Sequence, residues 1–347
     1  MESFWLHMKA VKFIEPHKFS LVECDIPNPG YNEIVIKNKT SGVCGTDVHI
    51  YSGDVKGLAA PSTVLGHEFA GIVEKLGPDV KGFDIGDPIA VEPNLYCGQC
   101  HYCRNAKKHF CQNWKAVGLA IDGGFQEYTK IPLQAAYKMP KGLSFKNAAF
   151  FEPLACVLHG IEQAQVSPGE TIVLQGAGSI GLLYIQALKK IGASTIIVSE
   201  IDEKKQKLAK QFGATTVIDP KNESIKDVVM AETNGIGANV FIDAAGLLTT
   251  IPTAISVLEN TGRIVIFGVP PEFQKIEISP YDIYRREIKI IGSFTNPYTN
   301  EAALKILKEI DVEPIITHPI GLTELEQSIQ KIHNREPGII KVQVQYS

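Results

Sequence analysis

Gly176, Gly178 and Gly181 form a G-x-G-x-x-G pattern in the segment QGAGSIG. A strand-length apolar run at 171–174 precedes the pattern, and an apolar, helix-like segment at 182–191 follows it. Glycines at this spacing permit a tight turn, close approach of a ligand to the backbone, and close packing of a helix on a strand. The segment therefore predicts a strand-turn-helix unit of a parallel sheet.

The residues after these glycines alternate between strand-like and helix-like patterns. Residues 195–199 are strand-like, residues 203–212 are helix-like, and strand-like runs recur at 240–243 and 263–268. This alternation predicts a parallel sheet covered by helices on both faces. We expect an α/β domain of the Rossmann type with limits at 161–294.

The same segment predicts a dinucleotide site. The N-terminus of the helix after the glycines offers unpaired amides to phosphates. Glu200, at the end of the next strand, can accept both ribose hydroxyls and would repel a 2'-phosphate. We therefore expect NAD in preference to NADP, although Lys204 and Lys205 lie nearby. The predicted cofactor contacts are Gly176, Gly178, Ser179, Ile180, Gly181, Glu200, Val269 and Ser293.

The segments before and after this region have different sequence patterns. Short apolar segments at 34–36, 72–73 and 88–91, separated by Gly, Pro and Asn, predict an irregular β-rich domain with few helices. The tail combines helices at 300–309 and 322–331 with a closing strand at 339–344. We predict a first domain at 1–160 and a return of the tail, 295–347, to that domain.

Composition limits the partners of the chain. It has 347 residues, 44% of them hydrophobic and 21% charged, with a formal net charge of -4. This balance lacks the basic excess that nucleic acid or an anionic membrane would require. No apolar run approaches the roughly 20 residues that cross a bilayer, and residues 1–10 do not resemble a secretory signal. We expect a cytoplasmic protein with neither nucleic acid nor membrane as a partner.

Four of the seven cysteines are close together, in a hydrophilic lobe at 93–113. They are Cys97, Cys100, Cys103 and Cys111, in the pattern C-x2-C-x2-C-x7-C. Four thiolates can enclose one zinc ion tetrahedrally and leave no open position, which is typical of a structural site. An iron–sulfur cluster is the competing interpretation.

A second candidate metal site is dispersed along the chain. Its members are Cys44, His67, Glu68 and Glu152. Each could be an ordinary structural residue, but together they would give zinc an incomplete shell with room for a substrate oxygen. Zinc lowers the pKa of an alcohol, and a nicotinamide accepts hydride. The combination therefore predicts hydride transfer from an alcohol.

Five motifs together resemble those of zinc-containing medium-chain dehydrogenases. In chain order they are CGTDVHIY at 44–51, GHE at 66–68, the cysteine lobe, EPL at 152–154 and GAGSIG at 176–181. The resemblance starts at Lys9, so the residues before Met8 lie outside it. It is strongest to sorbitol (L-iditol), threonine and related polyol or sugar dehydrogenases, because a glutamate stands where other alcohol dehydrogenases use a cysteine. It implies a GroES-like β-barrel catalytic domain, two zinc ions, and a homodimer or homotetramer.

The resemblance also implies roles for individual residues. One of Glu68 and Glu152 binds the catalytic zinc directly, while the other swings in or acts through water. Thr46 hydrogen-bonds the substrate alcohol and His49 accepts its proton nearer the surface, both from one short loop beside Cys44. For His49 the alternative is a surface or ribose-contacting histidine. Asp47 braces the loop or pairs with a cation.

Several alternatives remain open at this level. Segment 45–51 is reminiscent of threonine 3-dehydrogenase, whereas segments 150–155 and 292–298 favour a polyol substrate. A phosphorylated polyol would need a basic pocket, for which Arg285 and Arg286 are candidates. Two alternatives do not involve zinc-dependent alcohol oxidation. One is a zinc-free quinone or enone reductase, which would not need Cys44, His67 and Glu152. The other is a non-catalytic nucleotide sensor. The loops 51–60, 113–122 and 294–299 are expected to shape the pocket.

Overall fold

The computed structural model describes residues 7–55 and 57–347. Predictions that fall on residues 1–6 and on Lys56 lie outside the described residues. The chain divides into two compact units, Met1–Pro153 with Asn300–Ser347, and Leu154–Thr299. The domain limits that the sequence suggests, after residues 160 and 294, stay a prediction.

Among the described residues, the first unit begins with nine strands and three short α-helices. The strands are β1 (His7–Glu15), β2 (Lys18–Asp25), β3 (Glu33–Gly42), β4 (Glu68–Leu76), β5 (Pro88–Val91), β6 (Asn94–Leu95), β7 (Lys115–Ala116), β8 (Tyr128–Pro132) and β9 (Ala136–Lys138). The helices are α1 (Gly45–Ser52), α2 (His101–Arg104) and α3 (Phe145–Ala148). Helix α4 (Phe151–Ala164) then crosses the limit between the units.

The second unit alternates strands and helices. Its strands are β10 (Thr171–Gln175), β11 (Thr195–Ser199), β12 (Thr216–Ile218), β13 (Ala238–Asp243), β14 (Leu258–Ile266) and β15 (Lys289–Gly292). Its helices are α5 (Ser179–Ile191), α6 (Glu203–Phe212), α7 (Ile225–Glu232), α8 (Thr250–Val257) and α9 (Pro280–Arg286). The tail adds α10 (Asn300–Ile306), β16 (Ile316–Ile320), α11 (Leu325–His333) and β17 (Lys341–Gln345).

The six strands of the second unit form one sheet in the order β12-β11-β10-β13-β14-β15, and every pair is parallel. The predicted parallel sheet is therefore confirmed. The chain order reverses between β10 and β13, and open sheets of this kind bind ligands at the carboxyl ends of the strands beside such a reversal. The glycine pattern follows β10 directly, at this point.

The first unit is organised around the long strand β3. In the sheet order β16-β17-β3-β4-β5-β9, β3 pairs with β4 and β17, and β8 also pairs with β3. Gly42 lies opposite Glu68 of β4 on one side and opposite Gln343 of β17 on the other. This register brings the C-terminal strand to the end of β3 that leads into Cys44.

Two predictions about local structure need correction. Residues 45–52 form helix α1, although we predicted a loop for Thr46 and His49. The helix is stabilised because the Asp47 carboxylate accepts a hydrogen bond from the Cys44 amide at 2.9 Å, and it ends at Gly53, whose φ is 78°. Strand β14 ends at Ile266 rather than at residue 268, because the amides of Phe267 and Gly268 turn to donate to the Asp243 carbonyl.

No helix in the part of the chain that the structure describes is both long and apolar enough to cross a membrane.

Candidate metal centres and dinucleotide site

Three side chains from two separate segments of the sequence converge in the first unit. Each of Cys44, His67 and Glu68 offers a ligand atom, and these atoms lie within 4.8 Å of one another. Cys44 is the residue before helix α1, and Glu68 is the first residue of β4, with His67 just before it. The pairing of β3 with β4 holds the two segments side by side, so the cluster follows from the sheet register.

The charges around His67 fit a metal cation. Burial alone would lower the pKa of His67, but the negative charges of Cys44, Asp47 and Glu152 raise it well above its ordinary value. Its Nδ1 atom is buried, lies 3.7 Å from Asp47 Oδ1, and has no hydrogen-bond partner among the described residues. A thiolate, an imidazole and a carboxylate that meet in a negative, buried setting are a donor set that suits zinc.

The two candidate carboxylates occupy different positions. Glu68 belongs to the group of converging donors and forms a buried ion pair with Lys341 of β17. Glu152, in the first turn of α4, is outside that group, although its charge acts on His67. The sequence alone indicates no preference between Glu68 and Glu152 as the direct metal ligand. In the structure, Glu68 lies in the cluster.

Thr46 and His49 lie three residues apart on α1, and residues at this spacing are neighbours on a helix surface. Thr46 Oγ1 is 3.8 Å from Cys44 Sγ. His49 is half exposed, and its Nδ1 atom lies 3.3 Å from Asp54 Oδ2. Hydrogen bonds from Ser52 and His49 lower the pKa of Asp54. The arrangement runs from the cysteine towards the protein surface.

The four cysteines of the lobe also converge, with sulfur atoms within 4.8 Å of one another. The Cys97 amide donates to Cys111 Sγ at 3.4 Å, and the amides of Gln99 and Cys100 lower the pKa of Cys97 to about 6. Such donors stabilise thiolates, the form that binds metals. Burial and the neighbouring thiols Cys100 and Cys111 instead raise the pKa of Cys103 to about 12, a shift that a bound cation would oppose. Cys111 is buried, and no open position is needed for a structural zinc.

The glycines after β10 allow a tight turn, close packing of helix α5, and close approach of a ligand to the backbone. Gly176 has a φ of 94°, in the left-handed region. A Cβ on Gly181 would lie 2.1 Å from the Gly176 carbonyl oxygen, so the first turn of α5 packs directly on the preceding turn. A Cβ on Gly178 would meet nothing within 4 Å. The space in front of Gly178 is therefore open to a ligand that approaches the backbone, as a pyrophosphate would.

Glu200 is buried at the end of β11 and is tied to this turn. Its Oε2 atom accepts a hydrogen bond from the Ala177 amide at 2.7 Å, and its Oε1 atom accepts from the amides of Ile201 and Asp202. A carboxylate oxygen can accept two hydrogen bonds. Oε2, which accepts from the Ala177 amide, is thus compatible with a ribose hydroxyl as a second donor.

The remaining predicted contacts follow β14 and β15. Val269 is 76% exposed. The Ser293 amide donates to the Ile266 carbonyl, and its hydroxyl is buried without a hydrogen-bond partner among the described residues.

Sequence reasoning missed Asp243, a buried carboxylate at the end of β13 that accepts hydrogen bonds from the Ala245 and Gly246 amides. Its position at a strand end beside the glycine turn was the available signal.

Arg286 is one of two candidates for binding a substrate phosphate. Its guanidinium donates to the backbone carbonyls of Ile255 and Leu258, at the end of α8. Two of its donor nitrogens are therefore engaged by a helix terminus. Arg285 is exposed on α9.

Two family patterns match the chain. Residues 30–141 match the alcohol dehydrogenase GroES-like domain, and residues 179–333 match the zinc-binding dehydrogenase family. With these matches and the parallel sheet, the predicted fold class, a GroES-like domain with a Rossmann-type α/β domain, is confirmed.

Individual proteins are similar over almost the whole chain. L-threonine 3-dehydrogenase of Pyrococcus horikoshii is 34% identical over 92% of this chain and 93% of its own. Sorbitol dehydrogenase of Halalkalibacterium halodurans is 33% identical over the same shares, 92% and 93%. A solved structure from Sinorhizobium meliloti, described as a zinc-binding dehydrogenase bound to NADP, has 35% identity and a TM-score of 0.92, and covers 98% of this chain and 100% of its own.

Proposed function

We propose that this chain, which belongs to the zinc-containing medium-chain dehydrogenase family, oxidises a secondary alcohol of a polyol or sugar to the ketone with NAD as hydride acceptor. Family membership makes it an oxidoreductase of the alcohol dehydrogenase type. The substrate, the preference for NAD and the roles of individual residues are the proposal. The observation that carries it is the convergence of Cys44, His67 and Glu68 at metal-ligand spacing.

Each residue of this cluster has a part in the proposed reaction. Cys44, His67 and Glu68 would hold the zinc ion, with Glu152 close enough to act on the site electrostatically. When bound, zinc supplies Lewis acidity towards the alcohol oxygen. Thr46 would hydrogen-bond the alcohol hydroxyl and orient it, and His49, half exposed on the same helix, would accept the alcohol's proton and release it to solvent.

L-Threonine is the second candidate substrate. The similarity to the threonine 3-dehydrogenase of Pyrococcus horikoshii favours it, and threonine also carries a secondary hydroxyl. A phosphorylated polyol has less support, because Arg286 is engaged by backbone carbonyls.

A substrate screen tests the proposal directly. Purified, zinc-loaded protein is mixed with NAD and with sorbitol, other polyols, sugar alcohols, L-threonine or polyol phosphates, and NADH absorbance is followed. We expect the largest kcat/KM with an unphosphorylated polyol. A larger value with L-threonine would replace our substrate assignment, and no turnover with any secondary alcohol would contradict the proposed function.

Two further parts of the assignment are proposals. We propose that the four-cysteine lobe holds a structural zinc ion, which its closed set of sulfurs supports. We also propose a cytoplasmic homodimer or homotetramer; β15 is an edge strand of the sheet, and exposed Phe273, Tyr281 and Tyr284 lie in the preceding segment. Unpaired strand edges and apolar patches favour self-association, and light scattering measures the molar mass.

The preference for NAD depends on Glu200. The similar structure from Sinorhizobium meliloti holds NADP, so the family as a whole does not decide the preference. In this chain the buried carboxylate faces the turn at Ala177, where the 2'-phosphate of NADP would add negative charge beside it. This repulsion supports NAD as the proposed cofactor.

Replacing Glu200 with Ala is expected to raise the KM for NAD by roughly ten- to a hundred-fold. This factor corresponds to the free energy that hydrogen bonds to a charged group contribute. The KM for NADP should change less, because the variant also loses the repulsion of the 2'-phosphate. Steady-state kinetics with both cofactors measures the ratio, and Glu203→Ala on the exposed start of α6 is the matched control. Equal losses for the two cofactors would mean that Glu200 only supports the glycine turn.

A further inference from the structure

We propose that Lys341 is a positioning residue that holds Glu68 in a shared state between its own ammonium group and a metal bound by Cys44 and His67. The inference rests on the proposed function, because it concerns the same metal site. Lys341, which begins the last strand of the chain, would weaken the bond between Glu68 and the metal. This would leave a coordination position free for the alcohol.

The sheet register places these two charges together. Lys341 begins β17, the strand that pairs with the end of β3, and the Val43 amide donates to the Val342 carbonyl at 3.0 Å. Glu68 lies opposite Gly42 across the β3–β4 pair. A Cβ on Gly42 would lie 2.3 Å from Glu68 Oε2 and 2.9 Å from Lys341 Cε. The absence of a side chain at Gly42 therefore provides the space in which the ion pair forms.

The ion pair between Lys341 and Glu68 is shielded from water. The side chains of Lys341 and Glu68 are only 5% and 2% exposed, so water contributes little to their solvation. Lys341 Nζ contacts Oε2 of Glu68, and Glu68 belongs to the group of converging metal donors with Cys44 and His67. In a buried setting, removal of one partner leaves the other charge without compensation.

The consequence concerns the bond between Glu68 and the metal. Lys341 contacts Oε2, and a carboxylate whose charge is shared with an ammonium group is a weaker metal ligand than a free one. A catalytic zinc site keeps an open position, whereas a fully bound site is structural. Outer partners of this kind tune the strength and orientation of their ligands. Lys341 would therefore set the occupancy of the position that the alcohol must take.

A double-mutant cycle tests the inference with metal readouts. The variants are Lys341→Met, Glu68→Gln and the double variant, with Lys341→Arg as the charge-retaining control. Zinc release to a chelator is timed, and cobalt is exchanged into the more labile catalytic site while zinc stays in the four-cysteine lobe, so that the d–d absorption reports the ligand set of the catalytic site. With Glu68 present, Lys341→Met should slow release of the catalytic zinc about tenfold, shift the cobalt spectrum and lower kcat. Lys341→Arg should resemble the parent protein.

Loss of a positive charge strengthens the binding of any nearby cation, so the cycle isolates the part that depends on Glu68. In the Glu68→Gln background, Lys341→Met should slow release much less and leave the cobalt spectrum unchanged. Gly42→Ala, which retains both charges and separates them sterically, is the second variant and should shift the spectrum in the same direction as Lys341→Met.

Three results would each overturn the inference. The first is an equal effect of Lys341→Met with and without Glu68, and the second is faster zinc release from Lys341→Met when Glu68 is present. The third is an unchanged cobalt spectrum in both Lys341→Met and Gly42→Ala. Failure of the proposed function has a different signature. In that case the thiolate-to-cobalt absorption of the parent protein would come from the four-cysteine lobe alone, and Cys44→Ser would not reduce it.

Discussion

Replacing Cys44 with Ser is expected to lower turnover by about a thousandfold or more, because Lewis acid catalysis by a metal contributes several kcal/mol to the reaction and each 1.4 kcal/mol is a factor of about ten. A neutral hydroxyl is a far poorer zinc ligand than a thiolate. The substitution leaves only two of the three converging donors, His67 and Glu68. Turnover is measured by NADH formation with the best substrate of the screen.

The expected loss is confined to the metal site, and three measurements establish this. NAD should still bind, because its predicted contacts lie in the second unit, apart from Cys44 in the chain. Zinc content should fall from two ions per chain to one, with the four-cysteine lobe still loaded. The thermal midpoint should equal that of the parent protein after removal of the catalytic zinc, because the bound ion itself stabilises the fold and Cys44 is only half buried.

Cys24→Ser is the matched control for this substitution. Cys24 lies on β2, is half buried like Cys44, and belongs to neither of the two groups of converging metal donors. It should keep both zinc ions and full turnover. Retained turnover in Cys44→Ser, or an equal loss in the control, would show that the catalytic centre lies elsewhere.

Local patterns predicted much of the second unit. The segments proposed as a strand at 195–199 and as a helix at 203–212 have those limits in the structure. Glycine, apolar periodicity and helix caps act over a few residues, so a sequence displays them directly. Asp202, for example, accepts hydrogen bonds from the Lys204 and Lys205 amides and thereby starts α6.

Contacts between distant parts of the chain were not predictable in this way. Residue types and motif order suggested that Cys44, His67 and a carboxylate share a site, but only the β3–β4 register brings Glu68 to it. Lys341 gave no signal at all, because a lysine that begins a C-terminal strand is ordinarily solvated. Helix α1 was missed because its segment has weak helix periodicity, and because Val48, Ile50 and Tyr51 pack in a core formed by distant parts of the chain.

Two neighbouring glycines of the same motif should fail for different reasons when each is replaced by Ala. In Gly181→Ala, the new Cβ would lie 2.1 Å from the Gly176 carbonyl oxygen, a backbone atom that cannot move aside cheaply. Overpacking of this kind costs about 1–3 kcal/mol or more. Ala within a helix gains up to about 1 kcal/mol over Gly, so the steric cost should win. We expect a lower thermal midpoint with and without NAD.

Gly178→Ala should leave the stability of the cofactor-free protein nearly unchanged. Gly178 has a φ of −66°, which any residue adopts, and its Cβ would meet no atom within 4 Å. The entropic gain of about 0.4–1 kcal/mol from replacing Gly offsets the modest preference for Gly over Ala at a helix N-cap. The added methyl group would instead occupy the space that the pyrophosphate needs.

Thermal unfolding of both variants, with and without saturating NAD, separates these two effects. The parent protein should be stabilised by NAD through mass action. Gly178→Ala should start from the parent midpoint and lose most of this stabilisation, whereas Gly181→Ala should start lower. If Gly178→Ala retains the full NAD-dependent rise, the pyrophosphate does not approach the backbone at this turn, and the dinucleotide site has been placed wrongly.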